Sequence, residues 1–208
     1  MWGDAMPVDF SNVKEVTIPQ GACNSISVNG TVIWKREVPI GYTKLDYITA
    51  SGSQYIETNI IVGNTSVVDA KFTFTNNAGN VFGSYVSTSS NNNFSFYGGS
   101  SSSDGYIRYD GQLVRAFRPT SGTIYTLTMG SNGFVANGTS YATFTSSSFT
   151  CSTGFWIGML PNSTAASFKG KIYYLKITDG NTVVADFVPA QRDSDSKKGL
   201  YDRISDTF

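Results

Sequence analysis

Along the chain, apolar residues return at every second position, and no window carries the i, i+3, i+4, i+7 stripe of an amphipathic helix. The clearest stretch is 67–74, where Val68, Ala70, Phe72 and Phe74 alternate with Val67, Asp69, Lys71 and Thr73. That pattern suits a strand with one face in a core and the other in solvent or lining a groove. The same period predicts short strands over 80–86, 93–97, 106–109, 112–117, 123–129, 133–136, 139–144, 154–160, 171–178 and 182–188. Asn137-Gly138 supplies the two positive-φ positions of a two-residue hairpin, and Asp179-Gly180-Asn181 signals a second one. Many short strands with meander-like connections predict an all-β chain, an antiparallel β-sandwich of the jelly-roll kind.

Three parts are expected. Residues 1–37 form a small N-terminal β element, with strands over 13–18 and 23–34 broken by Pro19-Gln-Gly21 and Asn29-Gly30. Residues 38–41 form a linker, where Pro39 opposes strand continuation, and residues 42–208 form the sandwich. An isolated hairpin is marginal in water, so the first part is expected to pack on the sandwich or on another chain. The polar runs 87–93 and 98–105 are expected as exposed loops, with Trp34 and Trp156 as anchors of the hairpin and of the core.

Composition narrows the function classes. Charged residues make up 14% of the chain, below the roughly 25% of ordinary soluble domains, and 15 basic residues balance 15 acidic ones. No electrostatic footprint for nucleic acid or an anionic membrane is present. The N-terminus lacks the basic and apolar regions of a signal peptide, so the product is expected to stay in the cytoplasm of its maker. Cys23 and Cys151 cannot build a zinc site and are expected as buried free thiols. The sequons at Asn29, Asn64, Asn137 and Asn162 are read as turn chemistry.

The opening segment Tyr42-Thr-Lys-Leu-Asp-Tyr-Ile-Thr-Ala-Ser-Gly-Ser-Gln-Tyr-Ile-Glu-Thr-Asn59 resembles the start of a concanavalin A-like, laminin-G-like jelly-roll module found in phage and prophage structural proteins. Phe168-Lys-Gly-Lys-Ile-Tyr-Tyr-Leu-Lys-Ile177, Val184-Ala-Asp-Phe-Val-Pro-Ala190 and Gly199-Leu-Tyr-Asp202 follow in the order of such modules. The stretch from Val8 to Gly21, followed by Val28-Asn-Gly-Thr-Val-Ile-Trp34, is similar to an element that precedes them in phage tail proteins. The middle, about 74–154, carries no matching motif. The resemblance implies a sandwich that binds glycans or proteins, virion proteins as neighbours, homo-oligomeric assembly, and residence in the virion after synthesis in the bacterial cytoplasm.

The chain contains no His, so the usual general base and the commonest metal ligand are missing. Glycoside hydrolases on this fold need two carboxylates flanking the scissile bond, yet Glu57 has no acidic neighbour two residues on and Asp69 stands alone in its strand. No catalytic residue, metal ligand set or cofactor is therefore assigned. Calcium is the one cation considered, at Asp193, Asp195 and the Asn91–Asn93 run, although their spacing matches no specific calcium motif. For a saccharide, which stacks on aromatic rings and takes directed hydrogen bonds, the best cluster is Tyr97, Tyr106, Arg108 and Tyr109 with Asn92 and Asp104. Alternation sets Tyr106 and Arg108 on the face opposite Ile107 and Tyr109, so the assigned binding residues are Asn92, Asp104, Tyr106 and Arg108. The expected function is a non-catalytic virion component, in a tail fibre or baseplate, that binds a host glycan or surface protein. A purely structural or decorative virion module and a divergent glycan-degrading enzyme stay open as alternatives.

Overall fold

The computed structural model describes residues 25–28, 31–35, 37–75, 79–87, 91–100, 103–145, 148–162 and 167–208. Strands β1 (Ser25–Val28) and β2 (Thr31–Lys35) form a two-stranded sheet of their own. The strand expected over 13–18, Cys23 and the side chain of Trp34 lie outside the described residues. The other strands are β3 (Tyr42–Lys44), β4 (Ile48–Ser51), β5 (Ile56–Glu57), β6 (Ser66–Phe74), β7 (Asn80–Ser84), β8 (Phe94–Tyr97), β9 (Tyr106–Tyr109), β10 (Gln112–Arg115), β11 (Ile124–Gly130), β12 (Gly133–Ala136), β13 (Thr139–Ala142), β14 (Trp156–Ile157), β15 (Lys169–Asp179), β16 (Thr182–Arg192) and β17 (Lys198–Asp202). One sheet has the order β10-β9-β8-β7-β14-β5. The other runs β13-β12-β11-β6-β15-β16-β17, with β3 added on β16 and β4 on β15. All pairings between strands are antiparallel. Among the described residues no helix is long and apolar enough to cross a membrane.

The period-two pattern sets which face is buried. Val68, Ala70, Phe72 and Phe74 of β6 are fully buried, while Asp69 and Lys71 between them are only half-buried on the outer side. The two sheets meet through aromatic rings. Phe72 lies 6.2 Å from Phe82, Phe74 meets Phe96 edge-on at 6.2 Å, and Phe96 lies 4.9 Å from Phe134. Such contacts add about 0.5–1.5 kcal/mol per pair beyond the area they bury. At the β12–β13 hairpin, Asn137 and Gly138 adopt φ of 48° and 78°, the left-handed pair that a type I′ turn requires. Asp110 and Gly111, at 47° and 76°, close β9–β10 in the same way, so Asp110 serves as a turn residue. Gly170, in the Phe168-Lys-Gly-Lys motif, has φ of 155°, and a Cβ there would lie 2.0 Å from the Thr73 carbonyl oxygen. That close approach lets β15 pair with β6 on one side and β4 on the other.

The expected linker is part of a second, smaller apolar cluster on the outer side of the nine-stranded sheet. Val38 packs there with Val188, Ala190 and Tyr201, and Tyr42 and Phe208 lie against them. Glu37 forms an ion pair with Lys44, and the Tyr42 N–H donates to the Pro39 carbonyl. Among the described residues no strand lies between Lys35 and Tyr42, the gap that contains Pro39. The polar run 98–105 differs from the expected exposed loop. Gly98, Gly99 and Gly105 are buried, and their backbone groups bond to Gly79, Phe117 and Ala116. Glycine lets the main chain come close enough to satisfy its own donors and acceptors although the intervening serines offer nothing to a core.

Candidate functional site

The register of the six-stranded sheet dictates what its outer face presents. Glu57 pairs with Trp156, Trp156 with Gly83, Gly83 with Ser95, Ser95 with Arg108, and Arg108 with Leu113. Residues paired across antiparallel strands project to the same side, so these six form one row. The neighbouring row of Ile157, Phe82, Phe96 and Ile107 is buried in the core on the opposite side. Three strand intervals place Trp156 and Arg108 about 14 Å apart at the backbone. Only glycine and serine stand between them.

Aromatic side chains frame the row. Tyr55 is 49% exposed and stacks on Trp156, with ring centres 4.9 Å apart and planes 7° from parallel. Tyr97 and Tyr106, a cross-strand pair, stack at 5.8 Å and 16°. The Arg108 guanidinium lies 5.6 Å from the centre of the Tyr85 ring, a cation–π contact, and among the described residues has no carboxylate within ion-pair distance. A guanidinium with five fixed donors beside flat apolar rings can hold a polar ligand with C–H faces, through stacking and directed hydrogen bonds.

The structure brings Tyr106 and Arg108 together on this face and leaves them half-buried, while Ile107 and Tyr109 are fully buried. Tyr109 stacks on Phe144 at 4.5 Å and belongs to the core. Asp104 lies just before β9 and faces Arg118 at 3.5 Å. Asn92 is exposed. Its neighbour Asn93 is buried and braces the loop: Oδ1 accepts the Val86 N–H at 3.0 Å and Nδ2 donates to the Ser87 carbonyl at 2.8 Å. Trp156, expected in the core, instead stands on the outer face, since Phe155 and Ile157 on either side of it point inward. The residues that sequence reasoning missed, Tyr55, Tyr85 and Trp156, carried one usable signal, the alternation Phe155, Trp156, Ile157.

The residues considered for calcium are engaged otherwise. Arg192 grips Asp195 through Nε to Oδ1 at 3.0 Å and Nη2 to Oδ2 at 2.6 Å, and the Lys197 N–H adds a bond to Oδ1. The guanidinium beside it holds the Asp195 carboxyl down at about 2. Asp193 accepts the Thr43 hydroxyl at 2.8 Å. Among the described residues no group of three or more His, Cys, Asp or Glu side chains comes together as a metal site. Cys151 is a buried free thiol that burial pushes up to about 11, so at neutral pH it is protonated and unreactive.

No family model matches the chain, and no curated protein matches it. Among solved structures, mouse laminin alpha1 chain, domains LG4-5, superposes with a TM-score of 0.51 at 16% sequence identity, covering 74% of this chain and 49% of that one. This chain thus spans about half the length of the laminin chain that it matches. At such identity the likeness is one of fold, and the chain is an all-β antiparallel sandwich with a laminin-G-like jelly-roll architecture.

Proposed function

We propose that this chain is a non-catalytic binding module of a phage or prophage virion, in a tail fibre or baseplate. Its sandwich holds a host glycan or surface protein on the outer face of the six-stranded sheet. The chain is made in the bacterial cytoplasm and leaves in the particle, anchored among other virion proteins. The reading is supported by the resemblance of the 42–59 and 168–202 segments to such modules and by the laminin-G-like fold.

The observation that carries the site is the row from Trp156 to Arg108. It presents a stacked ring pair at one end and, at the other, a guanidinium without a carboxylate partner among the described residues, with the buried Gly83 and Ser95 between them. A sugar ring laid on Tyr106 gives up its apolar face to the aromatic surface while Arg108 takes its hydroxyls, and a further ring of the same saccharide can lie on Trp156. The test is a glycan array together with adsorption to bacterial cells, comparing the native chain with Tyr106→Ala/Arg108→Ala. Native binding that falls at least about tenfold in the variant, equivalent to about 1.4 kcal/mol, is expected. Blank arrays and no adsorption by the native chain would overturn the receptor-binding reading in favour of a decorative module.

A further inference from the structure

A cleft of about 810 Å³ opens between the edges of the two sheets, where β4 and β17 face β5 and β14. Its floor is apolar, built from Ile48, Ile56, Ile157 and Leu200, and its size falls within the roughly 300–1,000 Å³ of small-molecule sites. Two exposed tyrosines stand at its walls, each with one ring face occupied. Trp156 covers Tyr55, and the Lys171 ammonium sits 3.8 Å from the centre of the Tyr47 ring. Lys197 and Lys198 line the mouth; among the described residues neither forms an ion pair, although Lys197 lies close enough to Asp195, itself held by Arg192, to help keep its carboxyl down. Asp46 is the one carboxylate in the lining. With Lys171 beside Tyr47, the mouth carries an excess of positive charge in a chain whose formal net charge is zero.

We infer that this cleft is a second binding site, and that it takes an acidic saccharide bearing carboxylates. The tyrosines and the isoleucine floor receive the C–H faces of the sugar rings, and the two lysines receive the carboxylates as mobile point charges. A peptide fits less well. Adding a strand needs a row of free backbone groups, whereas β5 is two residues long and the Ser51 N–H at the end of β4 is already held by Gln54 Oε1 at 2.8 Å. The cleft adjoins the face proposed above at Tyr55 but relies on different charged groups.

The probe is trigalacturonate, titrated calorimetrically into the full chain, with neutral maltotriose and tri-glutamate as comparisons. Trigalacturonate is expected to bind, to weaken with added salt, and to lose at least about tenfold in Lys197→Gln/Lys198→Gln. A charge-matched variant on the neighbouring sheet face, Lys71→Gln/Lys176→Gln, is expected to bind like the native chain. No binding at millimolar trigalacturonate, equal binding of maltotriose, equal binding of tri-glutamate, or equal loss in the charge-matched variant would each overturn the assignment. So would a native chain that dimerises through the cleft, shown by a monomeric Lys197→Gln/Lys198→Gln variant in light scattering. The array is read with the Tyr106 and Arg108 variant and the trimer with the Lys197 and Lys198 variant, so either reading can fail without the other.

Discussion

The outer faces of the two sheets are built from similar residue types and use them in opposite ways. On the nine-stranded sheet, carboxylates are largely consumed within the fold, while Lys71 and Lys171 rest on the Tyr173 and Tyr47 rings. Asp69 accepts the Thr128 hydroxyl at 2.9 Å and faces Lys176, and Asp186 takes both Nε and Nη2 of Arg203. Part of that face is also covered by Val38, Tyr42 and Phe208. On the six-stranded sheet, Arg108 rests on Tyr85 with no carboxylate partner among the described residues, exposed Tyr55 stacks on half-buried Trp156, and Tyr97 and Tyr106, both half-buried, stack on each other. One face pairs its carboxylates with its own donors, and the other holds a guanidinium and stacked ring pairs with no carboxylate among its described partners. The difference shows that polarity alone does not mark a binding face. The proposed face is set apart instead by how few of its groups have found charged partners.

The sharpest way to break this contrast is at Asp202, which is buried and ties the covered side together. Its Oδ1 accepts the N–H groups of Asp186 and Ile204, and its Oδ2 accepts the Ser205 hydroxyl. Asp202→Ala strands these donors and is expected to cost about 3 kcal/mol in chemical denaturation. An intact denaturation midpoint would show that water replaces the carboxylate and that the covered face is not self-contained.

A second effect is read by pH. Burial, reinforced by the hydrogen bond to Asp206, pushes the Tyr201 phenol up to about 12 from an ordinary value of 10.0. The folded state thus holds this proton more tightly than the unfolded chain does. Its contribution is complete below pH 10 and is lost as pH rises through about 12. Tyr201→Phe should flatten the fall in stability over that window, and an unchanged profile would place the loss elsewhere.

The smallest effect is expected from Arg108→Ala, which should cost no more than about 1 kcal/mol, the scale of the cation–π contact with Tyr85. A thermal or chemical midpoint as depressed as that of Asp202→Ala would show Arg108 to be a structural brace and erase the distinction between the two faces.

Much of the fold was legible because a strand's period leaves no choice of face. Val68 through Phe74 could only bury the even positions, and Tyr106 with Arg108 could only oppose Ile107 with Tyr109. The Asn137-Gly138 hairpin was legible for an equally local reason, the left-handed conformation that those residues tolerate. The strands β3, β4, β5 and β17 were not, since the first three bury at most one residue each and β17 buries Leu200, Tyr201 and Asp202 in succession, so none shows a repeated alternation of buried positions. Trp156 was misplaced because β14 contains only two residues and its size suggested a core.

The amino-acid sequence by itself thus determined the all-β class, the buried face of each long strand and the tight turns, all of which follow from neighbours along the chain. Tertiary structure decided which polar groups are spent. Thr43 meets Asp193 across 150 positions and Trp156 reaches Tyr55 across a strand pairing, while Val38 lies over Val188 and Tyr201. Such partnerships depend on strand order and register, which local periodicity does not encode, so the proposed binding face emerges only when the sheets have been assembled.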